Sequence, residues 1–194
     1  MHGRRWRTSL TLRVASIYQQ ILGKQLDLLD SRVRRFHCLR GAHRLTGHCS
    51  IRAAESSIGK LISALLRLPA ATAGAELNFD LQADEHEEVW TRHFPRKTMR
   101  SRLQPAANGL LAECIGPARL LFSLKADDGA LKMQLEAIRI FGLPWPKRWL
   151  PEIWGMEHGD EDRFHFDVGA RFHHFGLLVA YSGYLNLPDT EPTP

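Results

Sequence analysis

The chain has 194 residues, of which 44% are hydrophobic and 24% charged, and its formal net charge is +5. This is enough chain for one domain with a sizeable core, and the composition excludes a disordered or fibrous protein. Residues 1–60 hold 12 Lys/Arg against 3 acids, while the remainder is net acidic, so the positive sum reflects a basic start and not a basic body.

Arg4, Arg5, Arg7 and Arg13 fall in residues 1–13, where there is no acid, and this stretch reads as a flexible basic arm. Such an arm can attract nucleic acid or an anionic membrane. The aromatic residues lie mainly in the later, acidic part, which argues against nucleic-acid binding. No run approaches the ~20 apolar residues of a membrane span. Leu10–Ile21 is broken by Thr11, Arg13, Ser16 and Gln19-Gln20, unlike the apolar core of a secretory signal. Three cysteines, Cys38, Cys49 and Cys114, make no even disulfide framework, so the expected compartment is the reducing cytoplasm.

Residues 14–187 are expected to form a single domain, with 188–194 a disordered tail. In Thr11–Leu22, the residues Val14, Ile17, Tyr18, Ile21 and Leu22 recur at helical spacing, and Gly23 suits the stop. Asp30 is a fitting N-cap for a short helix over Ser31–His37, with Val33 and Phe36 facing inward. Gly41–Ala54 reads as extended. Ser56-Ser57 then offers caps for a helix over Ile58–Arg67, ended by Pro69.

Beyond Pro69 the period changes from 3.6 to 2. Leu77, Phe79 and Leu81 alternate with polar residues, and Glu88–Phe94 follows a turn. Leu120, Phe122 and Leu124 alternate before Asp127-Asp128-Gly129, a hairpin signal because Asp-Gly tolerates positive φ. The Pro-rich Leu143–Pro151 predicts a loop, and further strands end the chain. Short turns force antiparallel neighbours. The predicted fold is α+β, with N-terminal helices packed on a strongly curved antiparallel sheet or incomplete barrel of about seven to eight strands.

Several motifs carry a family resemblance. They are Tyr18–Gly23, His37, Arg67-Leu68-Pro69, Glu88–Phe94, Glu113–Pro117, Gly142–Pro151, Glu157–Val168 and Tyr181–Leu185. In this order they resemble a bacterial family known as domain of unknown function 4166. One departure is Arg52-Ala53, where the family usually reads Arg-Gly. The resemblance implies a module often placed after a saccharopine-dehydrogenase-like or short-chain-dehydrogenase-like domain, here in free-standing form. No glycine-rich dinucleotide fingerprint is present, so no nicotinamide site and no other cofactor is expected.

Glu88, Trp90 and Arg92 share one strand face, because alternate residues point the same way. They read either as a polar wall, with Trp90 for stacking and Arg92 for an anionic group, or as a cross-strand pair on a solvated face. Glu113 and Arg119 flank Gly116-Pro117, and Glu157 and Arg163 flank a turn. Buried together, such groups must pair; a Glu facing an apolar cavity would act as a general acid or base. Trp145, in a Pro-stiffened aromatic stretch, reads as a plug at the open end of the sheet, as a lid over a cavity mouth, or as a docking surface for a partner. His37, Cys38, His43, His48 and Cys49 match no zinc spacing, so no metal is expected.

The preferred function is binding of a small hydrophobic or amphipathic ligand in a cavity of the curved sheet, through Trp90, Arg92, Arg119, Arg163 and Trp145. One alternative is an enzyme of cyclase, isomerase or hydrolase type using Glu88, Glu113 or Glu157. Another, implied by the resemblance, is a docking module for a dehydrogenase-like partner.

Overall fold

The structure, a computed structural model, describes residues 15–65, 68–160 and 162–188. The expected basic arm, the tail beyond Pro188 and Arg67 lie outside the described residues.

The first helix, α1 (Ile17–Leu22), starts later than the spacing predicts. Ser16 sets that start. Its hydroxyl accepts from the Gln19 N–H at 3.0 Å, and the Gln19 side chain accepts from the Ser16 N–H at 2.6 Å, a reciprocal capping box. Gly23, at φ +52°, ends the helix and opens a 3-10 turn over Gly23–Leu28. Asp30 then caps α2 (Ser31–Cys38), accepting from the Arg32 N–H at 2.7 Å.

The strands are β1 (Gly41–Ala53), β2 (Thr72–Ala83), β3 (Glu88–Phe94), β4 (Lys97–Pro105), β5 (Leu111–Ile115), β6 (Ala118–Asp127), β7 (Ala130–Ile140), β8 (Leu143–Pro144), β9 (Glu152–Asp160), β10 (Arg163–Phe172) and β11 (Gly176–Asn186). A third helix, α3 (Ser57–Leu65), joins β1 to β2. They form one antiparallel 11-stranded sheet in the order β6-β5-β4-β3-β2-β1-β11-β10-β9-β7-β8, and β6 also pairs with β7. That last pairing closes ten strands into a barrel, with β8 as an appendage on β7. The α+β class and the antiparallel sheet are as expected; the strongly curved sheet or incomplete barrel of about seven to eight strands is corrected to a closed barrel of ten. β7 pairs with β6 along one edge and with β9 along the other, so the two ends of the sheet meet there.

The seam between β1 and β11 runs from Thr46 opposite Asn186 to Ala53 opposite Val179. The two strands approach so closely that a Cβ on Gly47 would lie 1.8 Å from the Tyr184 carbonyl oxygen, and one on Gly183 would lie 2.0 Å from that of His48. Only glycine fits such an approach.

The N-terminal helices fill one end of the barrel. Ile17, Tyr18, Val33, Phe36 and His37 are buried among barrel residues including Phe79, Trp90, Leu103 and Phe164. Phe36 stacks on Phe164 at 4.2 Å and meets Trp90 edge-on at 5.6 Å. Enclosing one such ring contributes about 1.5–3 kcal/mol. The connections at this end hold the plug. The Asp30 N–H donates to the Gly129 carbonyl at 2.7 Å, and Gln20 donates to the Glu85 carbonyl at 2.7 Å. Arg32 pairs with Asp162, and Arg40 donates to the Asp84 carbonyl. No helix among the described residues is long and apolar enough to cross a membrane.

Candidate functional site

Strand β3 turns its unusual face inward. Glu88, Trp90 and Arg92 stand opposite Ala83, Leu81 and Phe79 of β2, all buried in the barrel. The alternation of β3 thus carries two ionisable groups into the core, and such groups must find partners there. Glu88 Oε2 accepts from the Trp90 indole N–H at 2.9 Å. Arg92 donates to the Ser101 hydroxyl at 3.0 Å and places its other terminal nitrogen 3.6 Å from Glu113 Oε1. The Arg92 guanidinium also lies 5.0 Å from the centre of the Trp90 ring, a cation–π arrangement.

The plug supplies the other half of the cluster. His37 of α2 and Glu157 of β9 are each 2% exposed or less, and His37 Nε2 lies 2.5 Å from Glu157 Oε2. Tyr18 of α1 covers the His37 ring at 3.7 Å between centres. Neither the Tyr18 hydroxyl nor His37 Nδ1 has a hydrogen-bond partner among the described residues.

Burial dominates the electrostatics. It pushes the Glu88 carboxyl up to about 7, against the opposing pull of His37 and the Trp90 N–H. It also raises the Tyr18 and Tyr181 hydroxyls, with the nearby glutamates adding to the effect. For Arg92 burial works against the charge, but Tyr181, Glu113, Tyr18 and Glu157 outweigh it and raise the pKa, so the guanidinium stays charged. The core therefore holds one fixed cation offset by Glu113, a His–Glu pair, and a carboxyl that changes charge near neutrality.

Exposure inside the barrel rises away from the plug. On β10, Phe164 and Phe166 are buried, while Val168 and Ala170 on the same face are half-buried. On β4 the change comes from Leu103 and Ser101 to Met99, on β7 from Leu131 to Met133 and Leu135, and on β9 from Glu157 to Ile153. Across the barrel Ile51, Phe94 and Val179 stay buried. Two clefts lie outside this interior. One of about 490 Å³ is lined by Leu150, Pro151, Glu152, Arg171, Phe172, His173 and Gly176; another of about 190 Å³ lies between Gly41 and Gln82–Val89.

The structure brings together five of the residues singled out from the sequence: Glu88, Trp90, Arg92, Glu113 and Glu157. It places three elsewhere. Arg119 is exposed on β6, Arg163 is exposed with its guanidinium 4.2 Å from the Tyr184 ring centre, and Trp145 is exposed, its indole donating to the Trp149 carbonyl at 3.0 Å. Sequence reasoning missed Tyr18, Ser101 and Tyr181 as members of the cluster and, among functional roles, weighed His37 only as a metal ligand, which its spacing excluded. A signal existed for two of them: Tyr18 and His37 are polar residues on the inward faces of amphipathic segments, beside Ile17 and Phe36.

No curated protein matches the chain, and no solved structure does. A family model described as a domain of unknown function matches residues 29–185, from the residue before the Asp30 cap to the last strand. That span contains the barrel strands and every charged member of the core cluster, and the chain therefore belongs to the domain of unknown function 4166 family.

Proposed function

We propose that the barrel binds a small amphipathic molecule, its apolar body among the half-buried residues of β4, β7, β9 and β10 and its polar end against Arg92 and Glu113. The observation that carries this reading is the rise in exposure of inward-facing apolar side chains directly above a charged, buried layer. A barrel of ten strands is wide enough to need filling; among the described residues α1 and α2 fill one end, while α3 packs on β11 at the other. Glu113 already offsets Arg92, so the polar end is better supplied by a neutral hydroxyl or carbonyl than by an anion; an added anion would leave buried charge unpaired.

The test is uptake of a fluorescent fatty alcohol by the purified chain, alongside native mass spectrometry and organic extraction of anything it carries. The wild-type chain takes up the probe. Val168→Trp, which puts a larger ring on the inner wall of β10 opposite Gly155 and Tyr181 without altering a charged residue, weakens uptake at least ~10-fold. Uptake unchanged in Val168→Trp, or none by the wild type, overturns the reading.

A second reading rests on Glu88. A carboxyl that titrates near 7 beside a buried Tyr hydroxyl is equipped to move a proton on a bound molecule. It predicts turnover that Glu88→Gln abolishes while leaving probe uptake intact; turnover that survives Glu88→Gln rejects it.

A further inference from the structure

The connections at the two barrel ends differ in chemistry. At the plugged end, residues 84–87 and 128–129 carry Asp84, Glu85, Glu87 and Asp128. The opposite rim consists of the β1–β2 connection with α3, the turns at 95–96, 116–117 and 173–175, and the excursion at 141–151. Its described connections carry Lys60, Arg96, Lys147 and Arg148 against Glu55 alone, and none of these four cations has an ion-pair partner among the described residues.

The same rim holds most of the exposed apolar mass. Among the described residues, every exposed large hydrophobic side chain except Leu28 and Met156 belongs to it. Phe141 is 82% exposed, Leu61 and Leu143 are 72% and Trp149 is 60%. They fall on separate segments. Ser56 ties the start of α3 to the β10–β11 turn by donating to the Phe175 carbonyl at 2.9 Å, and the 490 Å³ cleft joins that turn to Leu150 and Pro151. The Phe141 N–H donates to the Pro117 carbonyl at 3.0 Å, linking the excursion to the β5–β6 turn. These contacts join α3, the 173–175 turn, the 141–151 excursion and the 116–117 turn, and Lys60, Lys147 and Arg148 are exposed on the same segments as the apolar tips.

We propose that this rim docks on the surface of an anionic lipid bilayer. Single protruding Trp, Phe and Leu side chains suit an interface that yields around each of them, and Trp in particular favours the headgroup level. Lys and Arg between them complement anionic headgroups. A protein partner would need a preformed surface matching several separate tips. The proposal stands on the outer rim and not on the ligand reading; where both hold, the barrel mouth faces the membrane, and an amphipathic ligand enters from it.

The test is co-sedimentation of the full chain with phosphatidylcholine vesicles, with and without phosphatidylserine. Wild type binds the phosphatidylserine vesicles, and added salt weakens the binding. Lys147→Glu with Arg148→Glu, and separately Phe141→Ser with Trp149→Ser, each weaken it at least ~10-fold. Far-ultraviolet circular dichroism identifies any variant that fails to fold, and Lys60→Glu then replaces it. No binding by the wild type overturns the proposal. So does equal binding by the rim variants, which would assign the lipid contact to the basic arm. A dimer in lipid-free solution that these substitutions dissociate, or stable capture of a dehydrogenase-like protein through this rim, also overturns it. Val168→Trp keeps vesicle binding while losing probe uptake, and the charge-reversed variant does the opposite, so failure of the two proposals is distinguishable.

Discussion

At the plugged end, the acidic connections meet the arginines of the helical segment: Arg32 reaches Asp162 and Arg40 reaches the Asp84 carbonyl, above a core of Phe36, Tyr18 and His37. At the far rim, cations and apolar tips face outward, and inward-facing Val168, Ala170 and Leu135 are only half-buried. One end directs several of its charges into internal contacts; the other leaves cations and apolar side chains exposed. A polar side chain at the first end should therefore matter for stability, and an apolar one at the second for binding, the reverse of the usual division.

The largest expected effect is at the His37–Glu157 pair. Replacing Glu157 with Leu leaves His37 enclosed without its partner, and urea denaturation should show a loss of about 3–5 kcal/mol. Replacing both with Leu should recover much of it, because two apolar groups leave no unpaired charge or donor. A loss under about 1 kcal/mol for Glu157→Leu would mean that the plug does not depend on this pair.

The next concerns pH. Glu88 rises from an ordinary 4.5 to about 7 on folding, so the folded chain binds its proton more tightly than the unfolded one. Stability from this group is therefore full below about pH 4.5 and falls as pH rises through 7, by up to about 3 kcal/mol. Glu88→Gln keeps an acceptor for the Trp90 N–H and loses the titration, so its stability should decline less than that of wild type between pH 4.5 and 8. Parallel pH profiles for the two proteins would place the titration elsewhere.

The smallest effect sharpens the contrast. Phe141→Ser and Trp149→Ser should each change the unfolding free energy by less than about 0.5 kcal/mol, since both side chains are already in solvent. A larger loss would show that the rim packs against the body and has no surface to spare.

The sequence made some of this legible. The Asp30 cap, the stop at Gly23 and the shared face of Glu88, Trp90 and Arg92 follow from local rules that act over a few residues. The direction of that face does not follow from them: period 2 says which residues share a side, not which side looks inward. That is decided by the register Leu81 opposite Trp90 and Ser101 opposite Trp90 on the other flank. Barrel closure was equally hidden. It depends on β1 pairing with β11, across most of the chain, and on tight approaches at Gly47 and Gly183 that leave no periodic trace. Glu113 and Glu157 reach the same interior from β5 and β9, strands that share no hydrogen-bonded edge, so no spacing could link them.

The β1–β11 seam also has a consequence in time. Within the barrel, the strand made earliest is completed by the one made latest, so β1 carries an unsatisfied edge until Gly176–Asn186 has been synthesised. The meander from β2 to β7 can form hairpin by hairpin as it is made, but the cylinder cannot. Until then an exposed β1 edge is the nascent chain's main invitation to pair with a neighbour. Its outward-facing Arg44 and Arg52, and His48 between them, put polar and charged groups along that edge during the wait.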